Sequence, residues 1–412
     1  MSKVKQSIVL IMLLLAGLFQ ANGQVKTGIE VLRENSFAPL VGKRVGLITN
    51  PTGVDSRLKS TIDILAEAEQ VELVALYGPE HGVRGDYPAG EYVENQNDPR
   101  TGVPMFSLYG KTRKPTAEML QGVDVLVYDI QDIGSRSYTY ISTLGLAMEA
   151  AAEQGIEFMV LDRPNPLGGN KFEGPVVREG FFSFVSQFPI PYVHGFTVGE
   201  LARFLNGEQL LANGIQAELT VIQMEGWNRS MSFDDTGLPW VMSSPHIPHS
   251  HSAYFYPVSG IMGELISAYI GIGYTLPFQV FGAEWISNAE LFADRMNKLQ
   301  IPGVVFRPIH FRPFYTDMKG SRMQGVQAHI FDLEAMPLSL IQFYVMQEMY
   351  AMHPEYNLFE MAPTRLRMFD QVAGTEEVRK TFQQRFRVED IQDIWTRDIP
   401  AFLEKAKPWF IY

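Results

Sequence analysis

Residues 71–82 read Val-Glu-Leu-Val-Ala-Leu-Tyr-Gly-Pro-Glu-His-Gly. The first seven residues form an apolar, strand-like run, and the glycines and proline that follow favour a tight turn. In open α/β sheets, ligands bind beyond the carboxyl ends of the strands. Glu80 and His81 are therefore placed where a carboxylate and an imidazole suit proton transfer. The structural alternative is that Glu80 caps a helix and His81 is an ordinary loop residue.

Short β-rich runs alternate with helical stretches on both sides of this segment. The predicted strands are residues 45–48, 71–77, 105–108, 123–128, 158–161 and 219–223, and the predicted helices are residues 60–69, 141–154 and 198–205. This alternation is typical of βαβ units with a largely parallel sheet. We therefore predict an α/β N-terminal domain over residues 24–235.

The second half of the chain, residues 236–412, is less regular. A proline- and histidine-rich loop over residues 243–257 precedes a glycine-rich stretch. The remaining pattern predicts helices at residues 283–299, 337–352 and 373–386 and strands at residues 304–307 and 325–332. We expect a smaller C-terminal domain of α/β or α+β type.

Residues 1–23 have the pattern of a secretory signal peptide. Lys3 and Lys5 precede an apolar run over residues 8–19, and small residues at 21–23 suit cleavage. The run is shorter than the roughly 20 apolar residues that a membrane span needs, and no second long apolar stretch follows. We therefore predict an exported protein without a transmembrane segment.

Composition excludes several classes of function. The chain contains no cysteine, so disulfides cannot stabilise it. Its formal net charge of −12 argues against a nucleic-acid partner, whose phosphates it would repel. Gly271-Ile272-Gly273 lacks the third glycine of the dinucleotide fingerprint, and neither a P-loop nor a Gly-x-Ser-x-Gly elbow occurs. We predict no cofactor.

Four predicted strands end in polar side chains. These are Asn50 after the first strand, Glu80 and His81 after the second, Asp129, Gln131, Asp132 and Arg136 after the strand at 123–128, and Asp162, Arg163 and Asn165 after the strand at 158–161. A parallel sheet brings such ends to one edge, so we expect a crevice suited to acid–base chemistry on a polar substrate. Individual members also suit helix caps and loop ties.

His246, His249 and His251 occur in Ser-Pro-His-Ile-Pro-His-Ser-His at metal-like spacing. No carboxylate is adjacent to them, and a bound ion usually has a complete ligand set. A metal-dependent hydrolase is therefore a minor alternative, and a polar loop is the preferred interpretation.

Four ordered motifs resemble those of the exo-β-N-acetylmuramidase NamZ family, formerly a domain of unknown function. They are Gly46-Leu-Ile-Thr-Asn-Pro-Thr-Gly53, Gly78-Pro-Glu-His-Gly82, the segment from Tyr128 through Arg136 to Tyr138, and Asp162-Arg-Pro-Asn-Pro166. Gly325-Val-Gln327, with His329 and Asp332, adds a match in the second half. The resemblance spans essentially the whole chain after the signal peptide.

This resemblance implies a Rossmann-like N-terminal domain, a smaller C-terminal domain, and release of N-acetylmuramic acid from the non-reducing ends of peptidoglycan fragments. Glu80 matches the family's best candidate for the catalytic acid, with His81 beside it. A glycosidase usually needs a second carboxylate, which is Asp129, Asp132 or Asp162. The resemblance also implies substrate contacts from the side chains of Asn50, Arg136, Tyr138, Asp162, Arg163, Asn165, Glu264, Gln327 and His329.

The chain departs from the family pattern at one place. Where the family carries a Glu-Gly-Arg-Gly segment, this sequence reads Ile270-Gly-Ile272-Gly, so a carboxylate and a guanidinium are replaced by isoleucines. If those groups hold a substrate charge, we expect this protein either to bind a different or less anionic sugar or to have lost activity. The leading hypothesis is an exported, bacterial periplasmic glycosidase, and its rival is a non-catalytic saccharide-binding protein on the same fold.

Overall fold

The computed structural model describes residues 24–85 and 96–412. A seven-stranded sheet forms the first part of the chain. Its strands are β1 (Arg44–Thr49), β2 (Glu72–Gly78), β3 (Gln96–Asn97), β4 (Pro104–Ser107), β5 (Val125–Asp129), β6 (Glu157–Leu161) and β7 (Leu219–Ile222). The spatial order is β3-β4-β2-β1-β5-β6-β7, and every neighbouring pair is parallel except β3 with β4.

The parallel strands therefore follow the order of a doubly wound Rossmann-type sheet, with its switch point between β1 and β5. Helices α1 (Gly28–Glu34) and α2 (Thr61–Ala66) cover one face, and α3 (Tyr140–Gln154) and α4 (Val198–Gly207) cover the other. The α/β fold predicted from the sequence is confirmed.

Strand β5 shows why helices cover both faces of this sheet. Val125 and Val127 pack into the apolar cluster that holds α1 and α2, whereas Leu126 and Tyr128 pack into the cluster on the opposite face. Successive side chains of a strand point to opposite faces, so a continuous apolar run needs a layer on each side. The uninterrupted run at residues 123–128 is the sequence signal for this arrangement.

The C-terminal part has a smaller, antiparallel sheet of order β8-β10-β9, formed by β8 (Val280–Ala283), β9 (Val304–Phe311) and β10 (Met323–Ile330). Its helices are α5 (Ser250–Gly263), α6 (Ala289–Lys298), α7 (Ile341–Met352), α8 (Leu358–Met361), α9 (Leu366–Ala373), α10 (Glu377–Arg385), α11 (Gln392–Thr396) and α12 (Ile399–Ala406). One apolar cluster runs through both parts of the chain. The division at residues 235 and 236 stays a prediction.

Two predicted elements differ from the structure. The predicted loop at residues 243–257 becomes helix α5 from Ser250 onward, with Pro257 inside it. Buried Val258, Ile261 and Met262 on that helix supply apolar packing that outweighs the hydrogen bond lost at proline. The helix predicted at residues 283–299 begins only at Ala289, after strand β8.

Within residues 24–85 and 96–412, we find no helix that is both long enough and apolar enough to cross a bilayer. The predicted signal peptide, residues 1–23, lies outside the described residues.

Candidate active site

The turn after β2 sets the position of Glu80. The next two residues, His81 and Gly82, both have left-handed backbone angles, with φ of 72° and 76°. A Cβ atom on Gly78 would lie 2.6 Å from the backbone nitrogen of Val83, so the turn folds back closely enough to require glycine there. A strained left-handed histidine of this kind is held by its surroundings and is common at functional sites.

The carboxylate of Glu80 is half-buried and points at the beginning of helix α3. Thr139, the N-cap residue of that helix, donates its hydroxyl to Glu80 Oε2 at 3.2 Å. The phenol of Tyr109 also lies close to Glu80. Burial and the charge of Glu80 raise the pKa of Tyr109 to about 12. The positive end of the helix dipole favours a carboxylate at this position.

Glu80 opens into a cavity of about 460 Å³ whose walls come from both parts of the chain. Tyr138 forms one side, and its ring meets the edges of Tyr140 and Tyr256 at centroid distances of 4.7 and 5.6 Å. The described lining consists of Glu80, His81, Tyr109, Arg113, Ser137, Tyr138, Thr139, Tyr140, Ser183, Phe184, Val185, Ser244, His246, Ile247, Tyr256, Phe278, Met368 and Gln371. Glu80 is the only carboxylate in this described lining.

Two histidines lie on the cavity wall. His81 is 8% exposed, and His246 comes from the loop before α5. Burial, with a smaller contribution from a charge on His81, lowers the pKa of His246. His246 Nε2 and the hydroxyl of Tyr315 share a hydrogen bond of 2.8 Å.

Arg113 is the only lysine or arginine in the described lining of the cavity. Its guanidinium lies over the ring of Phe184, with 4.2 Å between the guanidinium carbon and the ring centroid. It forms no ion pair with a carboxylate in residues 24–85 or 96–412, so its charge is available to an anionic ligand.

The switch point between β1 and β5 is filled by the protein itself. Asp129 at the end of β5 is fully buried and accepts from Arg163 Nε at 2.5 Å and from Arg163 Nη2 at 3.0 Å. Arg163 also donates to the carbonyl of Val54, and the hydroxyl of Thr61 donates to Asp129. A buried ion pair in which both partners make further hydrogen bonds to the protein is a structural tie.

Asp132 and Asp162 also lie outside the described lining of the Glu80 cavity. Asp132 Oδ2 accepts from the backbone of Gly134 at 2.8 Å and lies 3.4 Å from His194 Nε2. Asp162 accepts from the backbone of Gly199 and from the hydroxyls of Thr197 and Tyr412, each at 2.8 Å. The structure therefore does not bring any of the three predicted second carboxylates onto the wall with Glu80.

Three more predicted contact residues are bonded internally. Arg136 is 1% exposed and donates to the carbonyls of Pro175, Ile190 and Val372, the last of these on helix α9. Burial lowers its pKa to about 9.

The side chains of the other two residues, Asn50 and Asn165, hydrogen bond to the protein backbone. Asn165 donates to the carbonyls of His194 and Phe196, and Asn50 Oδ1 accepts from the backbone of Thr52. Among the predicted substrate contacts, Tyr138 is the one that lines the Glu80 cavity.

The predicted residues of the C-terminal part lie elsewhere. Glu264 pairs with Arg365 at 2.8 Å, and burial raises the pKa of Glu264. Gln327 accepts from Arg307 at 3.3 Å. His329 lines a separate cavity of about 850 Å³ between the two parts of the chain.

The two isoleucines at the departure from the family pattern are also outside the Glu80 wall. Ile270 is 9% exposed, and both Ile270 and Ile272 pack against the main apolar cluster. The structure thus places these side chains in apolar packing.

The three histidines of the possible metal site have different surroundings. His246 bonds to Tyr315, His249 is the residue before helix α5, and His251 lies 3.4 Å from the carboxylate of Asp234. Residues 24–85 and 96–412 contain no group of three or more histidine, aspartate or glutamate side chains arranged to hold a metal ion.

Sequence reasoning did not assign most of the Glu80 wall to the site, including Tyr109, Arg113, Tyr256 and Phe278. Tyr109 follows the weak strand β4, and its position after a strand end was a usable signal. The other three reach the cavity through loop conformation or long-range packing, for which the sequence pattern gives no local signal.

The fold and cavity define the class of the protein. It is a doubly wound α/β protein whose strand-end carboxylate opens into a tyrosine-lined crevice, the arrangement expected of acid–base chemistry on a polar ligand.

Comparison with known proteins identifies the family. Residues 45–251 match the N-terminal family model of exo-β-N-acetylmuramidase NamZ, and residues 254–412 match its C-terminal model. The chain is 45% identical over 390 residues to the peptidoglycan β-N-acetylmuramidase NamZ of Bacillus subtilis strain 168, covering 94% of this chain and 92% of that protein. The chain therefore belongs to the NamZ family, and the resemblance read from its motifs is confirmed.

Two crystal structures of DUF1343 family proteins from Bacteroides fragilis NCTC 9343 have the same fold. One is 59% identical with a TM-score of 0.90, covering 94% of this chain and 99% of that one. The other is 29% identical with a TM-score of 0.76, covering 95% of this chain and 99% of that one.

The buried carboxyl of Asp162 predicts a pH dependence of stability. Burial raises its pKa to about 7, against about 3.9 in an unfolded chain. Because the folded state holds this proton more tightly, the carboxyl stabilises the fold below about pH 4, and the stabilisation is lost as the pH rises to about 7. Relative to Asp162→Asn, the unfolding free energy should fall by about 4 kcal/mol over that interval.

Urea unfolding of both proteins at stepped pH measures this difference, because asparagine at position 162 does not titrate. Parallel curves of stability against pH would show that Asp162 keeps its ordinary pKa in the fold.

Proposed function

We propose that this protein is a glycosidase that releases terminal N-acetylmuramic acid from peptidoglycan-derived fragments. The observation that carries the proposal is the position of Glu80, a half-buried carboxylate in a tyrosine-lined cavity of about 460 Å³. Family membership and the activity of the Bacillus subtilis relative support the same reaction. Rings that carry hydroxyls suit both the faces and the hydroxyl groups of a sugar.

Glu80 is assigned as the general acid. In its protonated form it gives its proton to the glycosidic oxygen while the bond from that oxygen to the anomeric carbon breaks. Water supplies the oxygen that finally bonds to the anomeric carbon, and the proton that it releases replaces the one that Glu80 gave to the leaving group. Thr139 holds the carboxyl group by donating to Oε2, and the carboxyl group lines the cavity in which the sugar would bind. Asp129, Asp132 and Asp162 lie outside the described lining of the cavity, so we assign the acid alone.

Glu80→Gln tests this assignment. We expect a loss of kcat/KM of about 100-fold or more on a muramic acid–glucosamine disaccharide, because a general acid contributes roughly that much. The loss should be smaller on a nitrophenyl muramide, whose leaving group departs without protonation. Release of free muramic acid and of nitrophenolate measures the two rates.

Glu72→Gln is the matched control, because Glu72 is exposed at the start of the same strand. Wild-type turnover by Glu80→Gln would remove the assignment. Saccharide binding without any turnover by the wild-type protein would favour the non-catalytic alternative.

Arg113 is proposed to select the muramic acid sugar. Muramic acid differs from glucosamine by a lactyl ether that carries a carboxylate, and Arg113 is the only lysine or arginine in the described lining of the cavity. Its stacking on Phe184 limits the positions of the guanidinium. Arg113 would supply the positive charge that this chain lacks at position 272, where isoleucine replaces the arginine of the family pattern.

Arg113→Met should lower kcat/KM on the muramide by about 10- to 100-fold, the value of a hydrogen bond to a charged group. Activity on the matching glucosaminide, which lacks the carboxylate, should not fall. Competition by free N-acetylmuramic acid, measured as an inhibition constant, should weaken in parallel. Lys111→Met, which removes an exposed cation from the same loop, is the control. An equal change on both sugars would contradict this role.

We also propose that the protein is exported to the bacterial periplasm, on the pattern of residues 1–23. Expression of the full chain in a Gram-negative host should place a shortened protein, beginning close to Gln24, in the osmotic-shock fraction. A chain started at Gln24 should stay in the cytoplasm. A full-length product in the cytoplasm would contradict export.

A further inference from the structure

Two consecutive aromatic residues are exposed on the loop at residues 312–322, which joins β9 to β10. Phe314 is 59% exposed and Tyr315 is 49% exposed. Large aromatic side chains usually bury most of their surface. An adjacent pair left in water is therefore a feature that needs an explanation.

The loop is held in this conformation by its neighbours. The backbone nitrogen of Phe314 donates to the carbonyl of Gly273 at 2.7 Å, and the Phe314 ring stacks on Tyr274 with centroids 5.5 Å apart. A Cβ on Gly273 would lie 2.7 Å from the carbonyl oxygen of Tyr315, so the close approach requires glycine.

The next residue, Thr316, adopts a left-handed φ of 77°, which is strained for a β-branched residue. Such strain costs of the order of 1–3 kcal/mol and persists only where the surroundings impose it. The exposed pair is thus presented by a constrained loop.

Tyr315 is connected directly to the Glu80 cavity. Its hydroxyl lies 2.8 Å from Nε2 of His246, and the two rings are within 17° of parallel. His246 lines the cavity together with Glu80. The exposed aromatic pair therefore adjoins the cavity wall through the contact of Tyr315 with His246.

The proposed reaction determines which part of the substrate lies next to Tyr315. If Glu80 protonates the glycosidic oxygen, the terminal sugar occupies the cavity and the leaving sugar lies outside it, next to the wall that continues from His246. We propose that Tyr315, with Phe314 beside it, is the platform on which the leaving sugar, an N-acetylhexosamine, stacks its apolar face. This inference rests on the proposed glycosidase function and adds to it the site of the leaving group.

The test compares two substrates with the same terminal sugar. One is the muramic acid–glucosamine disaccharide, and the other is N-acetylmuramyl β-fluoride, whose leaving group has no ring. Tyr315→Ala should lower kcat/KM on the disaccharide roughly tenfold, the upper range for one aromatic contact. It should leave hydrolysis of the fluoride within about twofold. Tyr315→Phe keeps the ring and should act as the wild type on both substrates within the same twofold limit.

Phe331→Ala is the matched control. Phe331 is 78% exposed and lines the separate, larger cavity, so its removal should change neither rate. Equal losses on both substrates with Tyr315→Ala, or no loss on the disaccharide, would overturn the platform.

A binding measurement separates this inference from the proposed function. In the Glu80→Gln protein, calorimetry should show tighter binding of the disaccharide than of N-acetylmuramic acid, and adding Tyr315→Ala should remove the difference. If the wild type cleaves neither substrate but this difference is present, the glycosidase proposal fails and the platform stands. If the wild type cleaves both and the difference is absent, the platform fails alone.

Discussion

Burial of both faces of the seven-stranded sheet is the constraint on which the rest of the structure depends. Every residue of β5 is buried, and alternate side chains enter different apolar clusters. Strands covered on two sides carry few charged side chains between their first and last residues. The polar residues are therefore concentrated in the loops after the strands, and the chemistry of the molecule depends on how each of those loops folds.

Those loops use their polar residues in two different ways. Between β1 and β5, the place where a doubly wound sheet usually binds its ligand, Asp129 and Arg163 neutralise each other in a buried pair. After β2, the turn at His81 and Gly82 carries Glu80 away from that pair and into an open cavity. The candidate site is thus displaced from the switch point toward β2 and β4. The displacement follows because the central position is already filled by the protein's own charges.

The sequence was sufficient to predict the sheet and the approach of four strand ends to one edge, because apolar runs and turn residues are local signals. It was not sufficient to distinguish loops whose polar side chains bond within the protein from loops whose polar side chains line an open cavity. Arg136 illustrates the difficulty, because it follows β5 in a polar cluster yet its side chain donates to residues more than thirty-five positions away, including the carbonyl of Val372. Only the packing of the second half of the chain determines such contacts.

The same long-range packing determines which residues line the cavity. Tyr256 and Phe278 belong to the C-terminal part, and their rings meet at a centroid distance of 5.0 Å beside Tyr138 of the N-terminal part. The acid comes from a strand end of the sheet, and much of the aromatic surface comes from the other part of the chain. Arg136 links the two parts where they meet, so a buried guanidinium that is absent from the cavity lining holds together the surfaces that form the cavity. Arg136 supports the site without lining its cavity, and its place in a motif close to Tyr138 has a structural reason.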